Sequence, residues 1–242
     1  MSELQAQRQK LVAARQALPD RLERSVRLQE NLRAWLVGRR ERSVGAYWPI
    51  KGEFDPLPAL YRWSEGAVDG SVRRVGLPVA DRATRSLRFH VWYPGCETEL
   101  DAYDIPKPKG TEEFLPELLV VPCLGFGPGG VRLGYGGGFF DRTLADLSPR
   151  PPTVGVSFTH GFLPFLRATD DEAPPRGALH RQGQRATHGR CHITPSSVIS
   201  ASSGASSWLA RRNGRKPCVK LTPTVGGRGD SAASVRSKKP PP

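Results

Sequence analysis

Residues 118–142, LLVVPCLGFGPGGVRLGYGGGFFDR, decide the fold of this 242-residue chain. The stretch begins with LLVVP, a continuous apolar run that is typical of a strand buried on both faces of a parallel sheet. Eight glycines follow between Gly125 and Gly138, and residues 140–147 then favour a short helix. A strand, a glycine-rich loop and a helix in this order predict a layered α/β domain.

Helix signals begin at the N-terminus. Leu4, Leu11 and Leu18 are spaced by seven and predict a first helix. Pro19 ends this helix, and Asp20 is suited to cap a second one. The apolar stripe of the second helix is predicted to consist of Leu22, Val26, Leu28, Leu32, Trp35 and Leu36.

Strand signals alternate with the helices in the rest of the chain up to residue 173. Runs rich in strand formers lie at residues 43–49, 73–79, 86–93 and 153–158, with a third helix at 56–65 and a loop at 103–116. The predicted fold is therefore an α/β domain over residues 1–173, with a mostly parallel central sheet flanked by helices.

Residues 174–242 differ in composition from the rest of the chain. The whole chain has a net charge of +13, and the stretch from residue 173 onward carries +12 of it. Apolar periodicity is lost there, so we expect a disordered basic tail. The abrupt change also suggests a shifted reading frame or a misjoined end from about residue 174. If the tail is genuine, we expect the domain to lack its last strand and to expose a sheet edge.

Composition argues against several classes of protein. No run of roughly 18 apolar residues predicts a membrane span, and the polar start MSELQAQRQK lacks the apolar middle of a signal peptide. The four cysteines are far apart in sequence, which argues against a zinc site and a disulfide framework. We expect a cytoplasmic protein that acts as a monomer.

The glycine-rich loop has the composition of a phosphate-binding site. Glycine lets backbone N–H groups converge on an oxyanion, and the start of the following helix adds the positive end of its dipole. Arg132 and Arg142 flank the loop and are suited to pair with phosphate oxygens, while Asp141 is suited to hold Mg²⁺ beside phosphates. A purely structural glycine turn is the alternative interpretation. Neither GxxxxGK(S/T) nor GxGxxG with its distal acid describes the loop.

Residues 132–142 resemble the signature of the 5-formyltetrahydrofolate cyclo-ligase family, roughly RLGxGxG followed by two aromatic residues and an aspartate. Other segments resemble the family in the same order along the chain. They are RQKLVAARQALP in the first helix, YWPIKGEFD at residues 47–55, and then RVGLPVA, LRFHVWYPG, YDIPKP and LLVVPCLGF. The resemblance runs from about residue 7 to residue 173.

The resemblance implies an enzyme that uses ATP and Mg²⁺ to convert 5-formyltetrahydrofolate to 5,10-methenyltetrahydrofolate, with release of ADP and phosphate. It implies that ATP is bound by Arg8, Arg132, Leu133, Gly134, Tyr135, Gly136, Gly137, Gly138, Phe139 and Phe140. It implies that the folate substrate is bound by Trp48, Glu53, Tyr103, Tyr135, Gly136, Gly137, Gly138 and Phe139, with Glu53 on the pterin ring. The implied metal ligands are Asp141 and Glu172, and the implied catalytic residues are Arg132, Tyr135 and Asp141.

Three departures from the family pattern stand out. Leu4 occupies a position where the family often has a lysine. Phe139 and Phe140 lack the hydroxyl groups of the tyrosines that many members have there. After ATDDEAP, the closing segment of the family is lost, just where the charge of the chain rises.

Two other functions remain open from the sequence. The domain could bind ATP for a different acceptor or without catalysis. The basic tail could bind nucleic acid through its arginine and lysine residues, although Trp208 is the one aromatic residue there and no recognised nucleic-acid motif is present.

Overall fold

A computed structural model describes residues 2–67, 70–166, 190–192 and 198–201 of the chain. All of these residues belong to one compact unit, residues 1–211, and the second unit, residues 212–242, lies outside the described ranges. Within those ranges, no helix combines the length and the apolar character needed to cross a bilayer.

The described residues contain four α-helices, which confirm the four that the sequence predicts. They are α1 (Glu3–Gln16), α2 (Arg21–Leu36), α3 (Leu57–Glu65) and α4 (Phe139–Asp146). Ser2 caps α1 by accepting a hydrogen bond from the Gln5 N–H at 3.3 Å. Asp20 occupies the capping position of α2, but its carboxylate accepts a hydrogen bond from Arg24 at 2.6 Å instead of from a backbone N–H.

A seven-stranded sheet forms the centre of the fold. In spatial order its strands are β12 (Val198–Ala201), β10 (Thr153–Phe158), β7 (Leu118–Pro122), β1 (Ser43–Gly45), β2 (Arg74–Ala80), β3 (Leu87–Trp92) and β6 (Glu113–Phe114). The strands from β12 to β2 run parallel, while β3 and β6 are antiparallel to their neighbours. A mostly parallel sheet flanked by helices confirms the predicted fold class.

The parallel strands bring three loops to one edge of the sheet. β7 lies between β1 and β10, with Leu119 paired to Gly45 on one side and to Thr153 on the other. Because all three strands point the same way, the chain leaves β1, β7 and β10 side by side at their carboxyl ends. This is the edge at which open α/β sheets bind ligands.

Two smaller sheets complete the described fold. β4 (Thr98–Leu100) pairs with β5 (Pro106–Pro108), and β8 (Gly125–Phe126), β9 (Val131–Leu133) and β11 (Arg190–His192) form an antiparallel sheet. Both β5 and β6 lie within residues 103–116, for which the sequence predicts a loop. Strands of two or three residues have too few alternating positions to leave a periodic signal.

Two strands lie beyond residue 173, where the sequence predicts a disordered tail. β12 pairs in parallel with β10 and covers its edge, and Ile199 is buried in the main core. β11 pairs with β9. At these seven residues the structure differs from the expectation, and the sheet edge beside β10 is occupied. The rest of the predicted tail lies outside the described residues.

The buried face of α2 is narrower than the predicted stripe. Leu28, Leu32 and Leu36, each four residues from the next, are buried in the main core. Leu22 and Val26 are exposed, so their assignment to the stripe is wrong. The helical repeat places residues 22 and 26 roughly 80–160° around the axis from Leu28 and Leu32.

Leu32→Ala should lower the free energy of unfolding by about 2–5 kcal/mol, because Leu32 is 0% exposed and its truncation leaves a cavity. Leu22→Ala is the matched control on the same helix. Leu22 is 80% exposed, so the expected change is within about 0.5 kcal/mol. Urea unfolding followed by tryptophan fluorescence measures both. Equal losses in the two variants would contradict the assignment of the buried face.

Candidate active site

The glycine-rich loop leaves the sheet at the carboxyl end of β7. The chain passes through the β8–β9 hairpin, turns through residues 134–138 and enters α4. Gly136 and Gly138 have φ values of +97° and +68°, which lie in the left-handed region that favours glycine. Gly138 is the N-cap of α4. The loop backbone therefore meets the N-terminus of an eight-residue helix at this point.

Arg8 of α1 is buried against the loop. Its Nε donates a hydrogen bond to the carbonyl oxygen of Gly134 at 2.9 Å. A Cβ atom on Gly136 would come within 3.2 Å of its guanidinium carbon. The structure thus brings Arg8 to the loop with which the family resemblance associates it, and the missing side chain at Gly136 leaves room for the guanidinium.

Arg132 is buried in β9 and connects β7 to α4. Its Nε donates a hydrogen bond to the Pro122 carbonyl at 2.9 Å. Its Nη1 lies 3.4 Å from Asp141 Oδ1, and its guanidinium lies over the Phe140 ring at 5.5 Å from the centroid. These contacts hold the Asp141 carboxylate in the first turn of α4.

Arg142 braces the loop from its outer side. Its Nη2 donates a hydrogen bond to the Gly137 carbonyl, and its Nε donates one to the Arg85 carbonyl at 3.2 Å. A Cβ atom on Gly138 would come within 2.9 Å of Arg142 Nη1. The side chain therefore packs along the two glycines that lead into α4.

Asp141 is the one implied metal ligand that the structure describes. It is partly exposed and lies beside the loop, in the first turn of α4. Among the described residues, no group of three or more His, Cys, Asp or Glu side chains could hold a metal ion. One carboxylate next to a phosphate-binding loop nevertheless fits Mg²⁺, because this ion takes most of its ligands from phosphates and water. Glu172 lies outside the described residues.

Glu53 is held in the segment that follows β1. Its Oε2 accepts a hydrogen bond from the Ile50 N–H at 3.0 Å. Its Oε1 is buried and accepts no hydrogen bond of normal geometry from the described residues, although the Tyr135 hydroxyl lies close enough to the carboxyl to lower its pKa. Burial raises the pKa of the Glu53 carboxyl, although the Ile50 N–H and the Arg15 guanidinium act to lower it. A buried carboxylate oxygen without a partner is suited to accept a hydrogen bond from a ligand.

Tyr135 faces Glu53 from the glycine-rich loop. Burial, followed by the charge of Glu53, raises the pKa of Tyr135 to about 12, so its hydroxyl keeps its proton at neutral pH. The hydroxyl accepts a hydrogen bond from Arg15 Nη2, and the Lys51 ammonium lies 5.3 Å from the centre of the ring. The structure therefore places the implied substrate residues Tyr135 and Glu53 together.

Arg15 and Lys51 are further residues at the site, and the sequence does not predict them there. Arg15 lies seven residues after Arg8 on α1, so both arginines lie on the same face of the helix. That spacing was a signal, because an arginine on a face that also carries Leu4 and Leu11 is directed toward the protein interior. Lys51 left no comparable signal, since a single lysine in a turn is typical of a surface.

The remaining implied residues divide between the site and the core. Tyr103 is half-exposed and contacts Phe139 edge-to-face, with 5.3 Å between ring centroids. Trp48 and Phe140 are partly buried and pack against the core. The side chain of Leu133 is fully buried, so it can face a ligand only through its backbone.

Between these segments lies a narrow cleft that its own lining side chains nearly fill. Glu53 and Arg15 contribute its charged groups. Its walls come from α1, from the segment after β1, from the end of β7 and from β10. The lining residues are Arg15, Tyr47, Glu53, Phe54, Pro122, Cys123, Val156, Ser157 and Phe158.

A glycine-rich loop and a helix start at the carboxyl edge of a parallel sheet are typical of α/β proteins that bind phosphate groups. Comparison with known families is more specific. A model of the 5-formyltetrahydrofolate cyclo-ligase family matches residues 1–164, and the chain belongs to that family.

Two curated relatives carry the name 5-formyltetrahydrofolate cyclo-ligase. The protein from Escherichia coli strain K12 is 33% identical over 125 residues, which cover 49% of this chain and 65% of the relative. The protein from Mycolicibacterium smegmatis is 33% identical over 138 residues, which cover 52% of this chain and 68% of the relative. The chain thus spans about two thirds of the length of these relatives.

Two solved structures have the same fold. The 5,10-methenyltetrahydrofolate synthetase from Aquifex aeolicus aligns with a TM-score of 0.56 and 21% identity, covering 92% of this chain and all of that one. The enzyme of the same name from Mycoplasma pneumoniae aligns with a TM-score of 0.55 and 20% identity, covering 69% of this chain and 92% of that one. At such identities the likeness concerns the fold.

Glu53→Gln should make the protein more stable than the wild type at neutral pH. Because the pKa of Glu53 is raised in the folded protein, its contribution to stability is full below the pKa of the unfolded chain. That contribution falls as the pH rises through the folded-state pKa, whereas glutamine does not titrate.

The difference in free energy of unfolding between Glu53→Gln and the wild type should therefore grow from pH 4 to pH 7. Urea unfolding at several pH values measures it. Glu30→Gln, on the exposed side of α2, controls for the loss of one surface charge. A difference that shrinks toward pH 7 would contradict the dominance of burial at Glu53.

Proposed function

We propose that this protein uses ATP to close 5-formyltetrahydrofolate into 5,10-methenyltetrahydrofolate, with release of ADP and phosphate. The observation that carries the proposal is the meeting of a glycine-rich loop with the buried Glu53 carboxylate, with Tyr135 between them. The glycine-rich loop, which is suited to bind phosphates, therefore lies next to Glu53, which is suited to hydrogen-bond a heterocycle. Membership of the cyclo-ligase family and the names of the curated relatives support the same reaction.

The chemistry requires that the formyl oxygen become a leaving group. The γ-phosphoryl group of ATP transfers to this oxygen, and ADP departs. The N-10 nitrogen of the folate then attacks the formyl carbon and forms the new C–N bond. The oxygen leaves as part of inorganic phosphate, and N-10 loses its proton. Positioning and charge stabilisation carry most of the catalysis in phosphoryl transfer.

The residues of the loop suit the phosphate half of this task. Gly136 and Gly138 allow the backbone to approach an anion closely. The N-terminus of α4 contributes the positive end of a helix dipole, and Arg8 adds a buried positive charge at the same place. Arg132 would act indirectly, because its guanidinium contacts the Asp141 carboxylate and orients it.

Asp141 is the residue that would hold Mg²⁺ with the ATP phosphates. A bound magnesium ion would neutralise part of the phosphate charge during transfer. Arg132 orients the Asp141 carboxylate for this role through the 3.4 Å contact. Glu172 is the second ligand that the family resemblance implies.

Glu53 and the aromatic residues suit the folate half. Glu53 Oε1 would accept a hydrogen bond from an N–H group of the pterin ring. Tyr103 and Phe139 contact each other beside the loop and offer aromatic surface to a ligand. Trp48 lies between β1 and Glu53 in the chain. The Tyr135 hydroxyl, protonated at neutral pH, would orient the substrate between the two halves.

The direct test is the near-ultraviolet absorbance of 5,10-methenyltetrahydrofolate. We expect the band to appear when the protein is mixed with 5-formyltetrahydrofolate, ATP and Mg²⁺, and not when either ATP or Mg²⁺ is omitted. A folded protein that binds ATP and produces no band would overturn the proposal in favour of a different acceptor.

Asp141→Asn should lower kcat by at least about 100-fold, because the carboxylate would hold the metal ion on the bound phosphates. The unfolding midpoint should change much less, because the asparagine side-chain oxygen can still accept a hydrogen bond from Arg132. Asp146→Asn is the matched control, since Asp146 is exposed at the far end of the same helix. Absorbance kinetics and thermal unfolding measure the two effects. A parallel loss of stability and turnover in Asp141→Asn would argue against its role as a metal ligand.

Gly136→Ala should weaken ATP binding by about tenfold or more, because the new Cβ lies 3.2 Å from the Arg8 guanidinium and imposes a left-handed alanine. Gly95→Ala is the matched control. Gly95 also has a positive φ, of +87°, but a Cβ there would meet nothing within 4 Å. Both variants should lose about 1–2 kcal/mol of stability from backbone strain. Calorimetric titration with ATP should show weaker binding by Gly136→Ala than by Gly95→Ala. Equal affinities of the two variants for ATP would rule out a role for the loop in nucleotide binding.

A further inference from the structure

Arg15 is a buried cation to which the proposed reaction assigns no role. Its side chain is among the largest fully buried ones in the described structure. It lies on the same face of α1 as Arg8, two helical turns further along, and lines the cleft beside Glu53. Since a buried guanidinium is costly without hydrogen-bond acceptors, its partners indicate what it does.

The guanidinium of Arg15 reaches two separate segments of the chain. Its Nε and Nη2 both donate to the carbonyl oxygen of Lys51, at 3.2 and 3.0 Å. The same Nη2 donates to the Tyr135 hydroxyl, and the guanidinium carbon lies 5.8 Å from the centre of that ring. One rigid group thus joins the turn that carries Glu53 to the loop that carries Tyr135.

The backbone conformation of Lys51 explains why the hydrogen bonds from Arg15 are needed. It has a φ of +48°, a left-handed conformation that residues with a side chain adopt rarely. Two hydrogen bonds on its carbonyl oxygen fix the peptide in that conformation. Glu53 follows two residues later, so the orientation of this peptide sets where the Glu53 carboxylate enters the cleft.

We propose that Arg15 is a positioning residue that fixes the separation between the Glu53 turn and Tyr135, and thereby the width of the substrate cleft. This inference rests on the proposed function, in which Glu53 and Tyr135 contact the folate substrate. In this proposal Arg15 acts through these two residues. Its planar fork is essential, because a lysine ammonium cannot donate in parallel to one carbonyl while reaching a second acceptor.

Arg15→Gln should raise KM for 5-formyltetrahydrofolate by about 10- to 100-fold, the range expected when hydrogen bonds from a charged group are lost. kcat should fall much less, since the proposed role of Arg15 is to position the residues that bind the substrate and not to act on the transferred group. A purely structural role would have a different signature. It would lower the amount of folded enzyme, and so the maximal rate, while leaving KM of the remaining enzyme unchanged.

Arg24→Gln is the matched control for the loss of a partly buried arginine on a neighbouring helix. Arg24 contacts Asp20 at 2.6 Å and the Thr159 hydroxyl at 3.0 Å, away from the cleft lining. This variant should lower the unfolding midpoint without changing KM. An equal rise of KM in both variants would overturn the assignment to Arg15.

Arg15→Lys separates charge from geometry and also serves if Arg15→Gln fails to fold. It keeps the positive charge and loses the fork, so its KM should rise nearly as much as that of Arg15→Gln. Wild-type KM in Arg15→Lys would overturn the proposal.

A double-mutant cycle with Tyr135→Phe tests the connection itself. Because Tyr135→Phe removes the hydroxyl that Arg15 contacts, the KM of the double variant should rise less than the product of the two single increases. Strictly multiplicative effects would overturn the proposal. Absence of turnover in the wild-type protein would be a different result, since it would remove the proposed function and this inference with it.

Discussion

The burial of three arginine guanidinium groups at one edge of the sheet is the constraint on which the site depends. A guanidinium withdrawn from water requires hydrogen-bond acceptors for its N–H groups. Leaving those hydrogen bonds unformed costs several kcal/mol. The three are Arg8, Arg15 and Arg132. Their acceptors are main-chain carbonyls of Gly134, Lys51 and Pro122, which lie on three different segments. Each arginine therefore fixes the position of one segment, and the loops around the cleft are held by charge-assisted hydrogen bonds as well as by apolar packing.

The same arginines set the electrostatic character of the cleft. Glu53 and Asp141 are the carboxylates beside them in the described structure, and one of these already contacts Arg132. The resulting excess of positive charge favours an anionic ligand at the loop. It also limits the shift at Glu53, because Arg15 and Arg132 lower the pKa that burial raises. A carboxyl that is buried but opposed by cations remains available to accept a hydrogen bond.

The sequence predicts the central part of the fold well and the periphery poorly. LLVVP and TVGVSF are strong signals, because strands buried on both faces are apolar throughout, and both became strands with the predicted boundaries. Strands of two or three residues leave no periodicity, so the sequence predicts a loop where β5 and β6 form. At the site, the residues of the motif at 132–142 are recognisable in the sequence, because the glycines and Asp141 follow one another in a fixed order. The spacing of Arg15 on α1 indicates that it faces the interior but not what it does, since its role depends on the Lys51 carbonyl and the Tyr135 hydroxyl, which only the folded chain brings together.

The strand at the edge of the sheet bears on the cleft as well as on the fold. β10 supplies Val156, Ser157 and Phe158 to the cleft lining, and β12 pairs with all three of them. Without a neighbour on that side, β10 would present unpaired N–H and C=O groups beside the site. The main-chain ladder of a parallel pair depends little on side-chain identity, so four residues with β-branched Val198 and Ile199 suffice to occupy the edge. Residues outside the part matched by the family thus stabilise the strand that forms one wall of the cleft.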